Sequence, residues 1–115
     1  MENRSLRVFV DGALSAMGVG TGIVIITSKG IRLEHSFRLG FKASNNEAEY
    51  EALIVGLKTI FDLGARDVEV YSDSRLVVNQ VQGSFEAWDS WMKEYLRVVK
   101  KIMGKFCTTN VTQVA

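Results

Sequence analysis

A chain of 115 residues, 47% hydrophobic and 23% charged, is long enough for one compact domain with a real core, too short for two, and too apolar to stay disordered. No apolar run approaches the roughly 18 residues a membrane helix needs, and the opening MENRSLRVFVDG lacks a secretory signal, so an intracellular setting is expected. With a net charge of only +1, any polyanion must be held by a local basic patch or by metal ions. The single cysteine, Cys107, excludes an internal disulfide framework or a cysteine zinc cluster and is expected to fill core space.

The elements follow in chain order, with no proline or low-complexity stretch to mark a linker. Leu6 to Asp11 (LRVFVD) is apolar on both faces and predicts a strand inside a sheet. Residues 20–28 (GTGIVIITS) form a second β-rich run. Ile31 to Leu39 alternates apolar Ile31, Leu33, Phe37 and Leu39 with polar Arg32, Glu34, Ser36 and Arg38, and the Ser28-Lys29-Gly30 turn joins the two runs as a hairpin. His35, the only histidine, falls on the apolar side of this third strand and is expected to be partly buried.

The period then changes. Ser44-Asn45-Asn46-Glu47 fits a capping box, and the segment to Leu63 has helical spacing with Gly64 as terminator. Asp67 to Ser72 (DVEVYS) predicts a strand, Ser74 to Val81 a short helix, Ala87 to Met103 a long helix, and Phe106 to Val114 a weak final strand. The order β, β, β, α, β, α, α, β specifies an α/β fold: a mixed sheet with helices packed on it.

Asp11 and Asp73 each close a buried strand at its carboxyl end, where open α/β sheets place their ligands. Glu47, Glu49 and Glu51 compete to join them from the first helix. At 100° per residue, Glu47 shares a solvated stripe with Glu51, Lys58 and Asp62. Glu49 instead opens an apolar stripe through Ala52, Leu53, Gly56, Ile60 and Leu63, with Gly56 permitting close approach to the sheet. A carboxylate there needs compensation, and a shared Mg²⁺ is the simplest source. The competing reading is that Glu49 favours the helix amino terminus, while Asp11 and Asp73 are turn and cap residues beside Gly12 and Ser74.

The words FVDGA, SNNEAEYEAL and VYSDSRLVVNQV, in that order and at those distances, resemble the ribonuclease H family, particularly its plant and retroelement-like branch. The resemblance runs from about Leu6 to Phe106. It implies a mixed five-stranded sheet, three antiparallel strands followed by parallel ones, in a single domain spanning 1–115. It further implies endonucleolytic hydrolysis of the RNA strand of RNA/DNA hybrids by a two-metal mechanism. Asp11, Glu49 and Asp73 then match three of the family's four metal-binding acids, with Mg²⁺ as cofactor and Mn²⁺ as a substitute. Gly12, Ser44, Asn45, Asn46 and Ser74 match positions that contact the hybrid, partly through 2′-hydroxyl groups. Asn46 has a competing role at the helix start. The family's final helix, with its fourth acid, has no counterpart before Ala115, so impaired activity is expected. The alternative is a non-catalytic nucleic-acid-binding or interaction module with the same fold. A sheet face left without that helix would favour self-association.

Lys93, Arg97, Lys100, Lys101 and Lys105 recur at helical spacing, either as a phosphate-tracking ridge or as a solvated face opposite Trp91, Tyr95, Val98 and Ile102. Trp88 and Trp91 are expected to pack in the core or between helices. Gly18, Gly20 and Gly22 lack the Lys-Ser/Thr of a nucleotide-binding loop and read as hairpin residues.

Overall fold

Alternation with a period of two decides which side of the sheet each strand buries. In β1 (Ser5–Asp11), Leu6, Val8 and Val10 point into the core, while Arg7 is exposed and Phe9 half-buried. The computed structural model describes residues 5–11, 21–37 and 45–114. It places β1 at the centre of a five-stranded sheet of order β3-β2-β1-β4-β5. β2 (Thr21–Thr27) pairs antiparallel with β1 and with β3 (Arg32–Phe37). β4 (Asp67–Ser72) and β5 (Thr108–Gln113) continue the other side in parallel. The expected hairpin joins β2 to β3, with Gly30 at φ 84° and its N–H donating to the Thr27 carbonyl at 2.9 Å. Only glycine adopts that backbone angle without strain.

Three helices complete the described chain. α1 (Asn45–Asp62) lies across β1 and β2, and its Gly56 explains how closely it does so. A Cβ there would sit 3.1 Å from Val8 Cγ1 and 3.6 Å from Ile23 Cγ2. α2 (Arg75–Gln82) begins at Ser74, whose Oγ accepts from Val77 N at 3.2 Å, and ends at Gly83 in the left-handed conformation, φ 86°. Gln82 Nε2 donates to the Val111 carbonyl at 2.6 Å, tying α2 to β5. α3 (Ser90–Met103) packs on α1, where the Tyr50 and Tyr95 rings stack with centroids 5.5 Å apart. One continuous core joins Val8, Ile25, Tyr50, Leu57, Val70, Val77, Val99 and Val111. Burying each such aliphatic side chain contributes about 1.5–3 kcal/mol.

The opposite sheet face is different. Arg7, Phe9, Val24, Ile26, Glu69 and Tyr71 are exposed or half-buried, with the Phe9 and Tyr71 rings stacked 4.8 Å apart. No described helix of the chain is long and apolar enough to cross a membrane.

Several expectations are corrected here. His35 and Leu33 do lie on the covered side of the sheet by register, opposite Ile23 and Ile25, yet both are exposed. β3 is an edge strand, and the sheet packing of α1 centres on β1 and β2. Cys107 is exposed rather than core filler, because Phe106 takes the buried position and Cys107 precedes the first ladder pair of β5, Asp67 with Thr108. Leu63 lies past the end of α1 and is 54% exposed. The long helix starts at Ser90, three residues later than its apolar pattern suggests, because residues 84–86 are held as a loop against α2. Trp88 in that loop is exposed, not packed, while Trp91 is half-buried edge-on against Tyr95.

Candidate active site

The parallel pairing of β1 with β4 sets Val10 opposite Ser72. The next residue on each strand is Asp11 and Asp73, so two acidic positions close neighbouring strands at the same rim. β1 carries the near-continuous apolar run Val8-Phe9-Val10, and β4 alternates, burying Val68 and Val70 on its inward face, so both contribute to the core from within the sheet. Asp73 is exposed. The backbone of Asp11 pairs with Gly22; its carboxylate is outside the described atoms.

The amino-terminal part of α1 meets this rim, and of its three glutamates Glu49 is the buried one, 4% exposed between Ala48 and Tyr50. The helical face argument thus selects the glutamate that the fold buries. Ser72 Oγ donates to Glu49 Oε2 at 2.7 Å, and that hydroxyl in turn accepts from Ser74 N at 3.1 Å. A buried carboxylate needs a donor of this kind. Ser72 therefore joins the end of β4, the start of α2 and the carboxylate of α1. It was missed in the sequence reading, although a polar residue following Val68 and Val70 at the inward-facing period was a usable signal.

The expected solvated stripe is only partly so. Glu51 Oε1 accepts from Tyr95 OH at 2.6 Å, and burial, then that bond, raises the Tyr95 phenol above its ordinary range. Tyr50, fully buried beside Glu49, donates to Gln80 Oε1 at 2.5 Å, and burial pushes its phenol up to about 12. Gln80 is itself 1% exposed and donates through Nε2 to the Glu86 carbonyl and towards Met92 Sδ, each at 3.3 Å. It interrupts the apolar stripe of Val77, Val78 and Val81 in α2, and the sequence reading passed over it.

Of the substrate positions, Ser74 caps α2 and Asn46 is half-buried at the start of α1. Asn45 opens the helix, its side chain outside the described atoms. Gly12 and Ser44, as well as Gly18 and Gly20, lie outside the described residues, and so does the Ser44 half of the expected capping box. Among the described residues no three His, Cys, Asp or Glu side chains gather as a metal cluster. What is described is a buried glutamate and an exposed aspartate, hard oxygen donors of the kind magnesium takes, meeting at one rim. Lys93, Arg97, Lys100, Lys101 and Lys105 are all exposed. Arg97 pairs with Glu94, which holds that carboxyl below its ordinary range.

Three antiparallel strands followed by two parallel ones, with helices on one side and acids at the carboxyl rim, define a ribonuclease H-like domain. The family model described as reverse transcriptase-like matches residues 9–115, and the chain belongs to that ribonuclease H family. It is 33% identical over 111 residues to the uncharacterized protein YpeP of Bacillus subtilis strain 168, covering 89% of this chain and 48% of that protein. It is 30% identical over 112 residues to ribonuclease HI of Halobacterium salinarum, covering 95% of this chain and 56% of that protein. The chain thus spans about half the length of the curated relatives it matches. Among solved structures, RNase H1 from Halobacterium salinarum NRC-1 superposes with a TM-score of 0.80 at 28% identity, covering 96% of this chain and 85% of that one. LC11-RNase H1 in complex with an RNA/DNA hybrid superposes with a TM-score of 0.80 at 30% identity, covering 95% and 84%.

Proposed function

We propose that this domain hydrolyses the RNA strand of RNA/DNA hybrids endonucleolytically, with Asp11, Glu49 and Asp73 holding Mg²⁺, or Mn²⁺ in its place, in a two-metal arrangement. The observation that carries the reading is the buried Glu49 carboxylate, held by Ser72 at the rim where the strands bearing Asp11 and Asp73 end. The solved relative bound to a hybrid supports the substrate class. Bound divalent metal supplies Lewis acidity for in-line attack of water on the phosphodiester and charge stabilisation of the leaving 3′ oxygen.

The protein's own part is positional. Ser72 fixes one oxygen of Glu49, the end of β4 presents Asp73 to solvent, and the Ser74 cap sets where α2 departs. Asn45 and Asn46 at the start of α1, with Gly12, Ser44 and Ser74, contact the sugar–phosphate backbone of the hybrid in this reading. We also propose self-association through the sheet face bearing the stacked Phe9 and Tyr71 rings; a strict monomer in sedimentation at high concentration would count against it.

The test is a hybrid-cleavage assay with Mg²⁺ and with Mn²⁺, run beside hybrid binding in EDTA. Cleavage by the parent chain that falls at least a hundredfold in Asp73→Asn, with binding in EDTA retained, is the expected result. Metal-independent cleavage, or an unchanged rate in Asp73→Asn, would overturn the assignment. Binding without cleavage would identify the non-catalytic module.

A further inference from the structure

The loop between α2 and α3 bounds an open groove of about 570 Å³, whose lining includes Phe85, Trp88, Lys93, Leu96, Arg97 and Lys100. Trp88 is 80% exposed and Phe85 38% exposed. This display is not the product of a loose segment. The N–H groups of Ser84 and Phe85 donate to the Asn79 carbonyl at 2.8 and 3.1 Å, and buried Gln80 holds the Glu86 carbonyl. Gln80 is fixed in turn by Tyr50. The core therefore fixes the loop backbone while the indole faces solvent.

The charges point to a polyanion. Lys93, Arg97 and Lys100 fall at positions i, i+4 and i+7 of α3, hence on one face, and Glu86 is the acid among the lining residues. Arg97 shares its charge with Glu94, which leaves Lys93 and Lys100 as the principal phosphate partners. Cations flanking an exposed aromatic ring make a stacking platform in an electrostatic funnel. Paired bases inside a duplex have their faces covered by neighbours, so an indole in a groove is reached by an unpaired base.

We infer that this groove binds a single-stranded nucleic-acid segment adjoining the hybrid, with a base stacked on Trp88 and phosphates on Lys93 and Lys100. Its location relative to cleavage rests on the proposed nuclease reading. α2 leads from Ser74, next to Asp73, to Gly83 at the groove, and its eight residues rise about 12 Å. That length corresponds to roughly three or four nucleotides of stacked strand. Arg75, with its guanidinium 5.8 Å above the Phe85 ring, adds a cation along the way.

The test compares a blunt RNA/DNA hybrid with the same hybrid carrying an oligothymidylate extension of about six nucleotides, by fluorescence anisotropy in EDTA. The extension is expected to tighten binding by the parent chain about tenfold, a gain abolished by Trp88→Ala and partly retained by Trp88→Phe. Lys93→Ala with Lys100→Ala should reduce the gain and flatten its salt dependence. Circular dichroism of these exposed-residue variants confirms that they fold. Equal affinity for blunt and extended hybrids in the parent chain would overturn the inference. So would an undiminished gain in Trp88→Ala, or displacement of the extension by polyglutamate as readily as by free oligothymidylate. If the gain appears and dies with Trp88 while no chain cleaves, the groove stands and the nuclease reading falls; cleavage without any gain means the reverse.

Discussion

Ser72 Oγ and Glu49 Oε2 meet at 2.7 Å, so that a strand end and a helix start, remote in sequence, share one buried hydrogen bond to a carboxylate. Ser72→Ala removes the donor and leaves the carboxylate in place. Hydrogen bonds to charged groups contribute about 1.5–3 kcal/mol, and the variant should lose stability of that order in urea denaturation. Because Ser72 also orients a proposed metal ligand, Mg²⁺ titration of cleavage should show apparent affinity weakened about tenfold or more. Unaltered stability and metal response together would mean that the bond does no work.

Gly56 marks the closest approach of α1 to the sheet. A methyl group at 3.1 Å from Val8 Cγ1 is tighter than ordinary packing, and both elements are fixed by the core. Gly56→Ala gains helix propensity of about 1 kcal/mol and incurs overpacking of about 1–3 kcal/mol. Net destabilisation in thermal or urea unfolding is expected, and Gly56→Val should be worse. A stabilised Gly56→Ala would show that the helix can lift away freely.

Burial raises the Tyr50 phenol from 10.0 to about 12, and the sign of the consequence follows from linkage. Below pH 10 both folded and unfolded chains keep this proton, and the contribution is fully present. Between about pH 10 and 12 the unfolded chain releases it while the folded chain holds it, so stability falls as pH rises. The full shift corresponds to roughly 2–3 kcal/mol. Tyr95, raised by burial and by Glu51, adds to the same alkaline loss. Urea midpoints measured from pH 8 to pH 12 should decline, and less steeply in Tyr50→Phe; equal slopes would show that Tyr50 titrates normally.

Much of this arrangement was legible in the residues because two periods rarely coexist by accident. The β-rich runs of β1 and β2, the alternation in β3 and the 100° stripe of α1 depend on local chain geometry, and such patterns located five strands, three helices and the burial of Glu49. The make-up of the sheet, three antiparallel strands followed by parallel ones, followed from the family resemblance and was matched. What failed depended on coverage. His35 has an inward register, but no sequence pattern reveals that the sheet packing of α1 centres on β1 and β2 rather than on the edge strand. Trp88 reads as a packing residue until Gln80 is seen to hold its loop against α2, delaying α3 to Ser90. Ser72 and Gln80 were overlooked because each is a polar residue in an apolar stripe, a pattern that gains meaning only when its partner, Glu49 or Tyr50, arrives from another element.

The adjacency of β1 and β4 has a kinetic corollary. Their ladder joins residues 5–10 to residues 67–72, with the hairpin and the whole of α1 intervening. Pairings of such high contact order form late, after local hairpins and helical turns. A nascent or partly melted chain can hold its β2–β3 hairpin and still possess no acidic rim. Metal-dependent protection against proteolysis should consequently appear in a single cooperative step with global folding, making the proposed site a sensor of the completed native state.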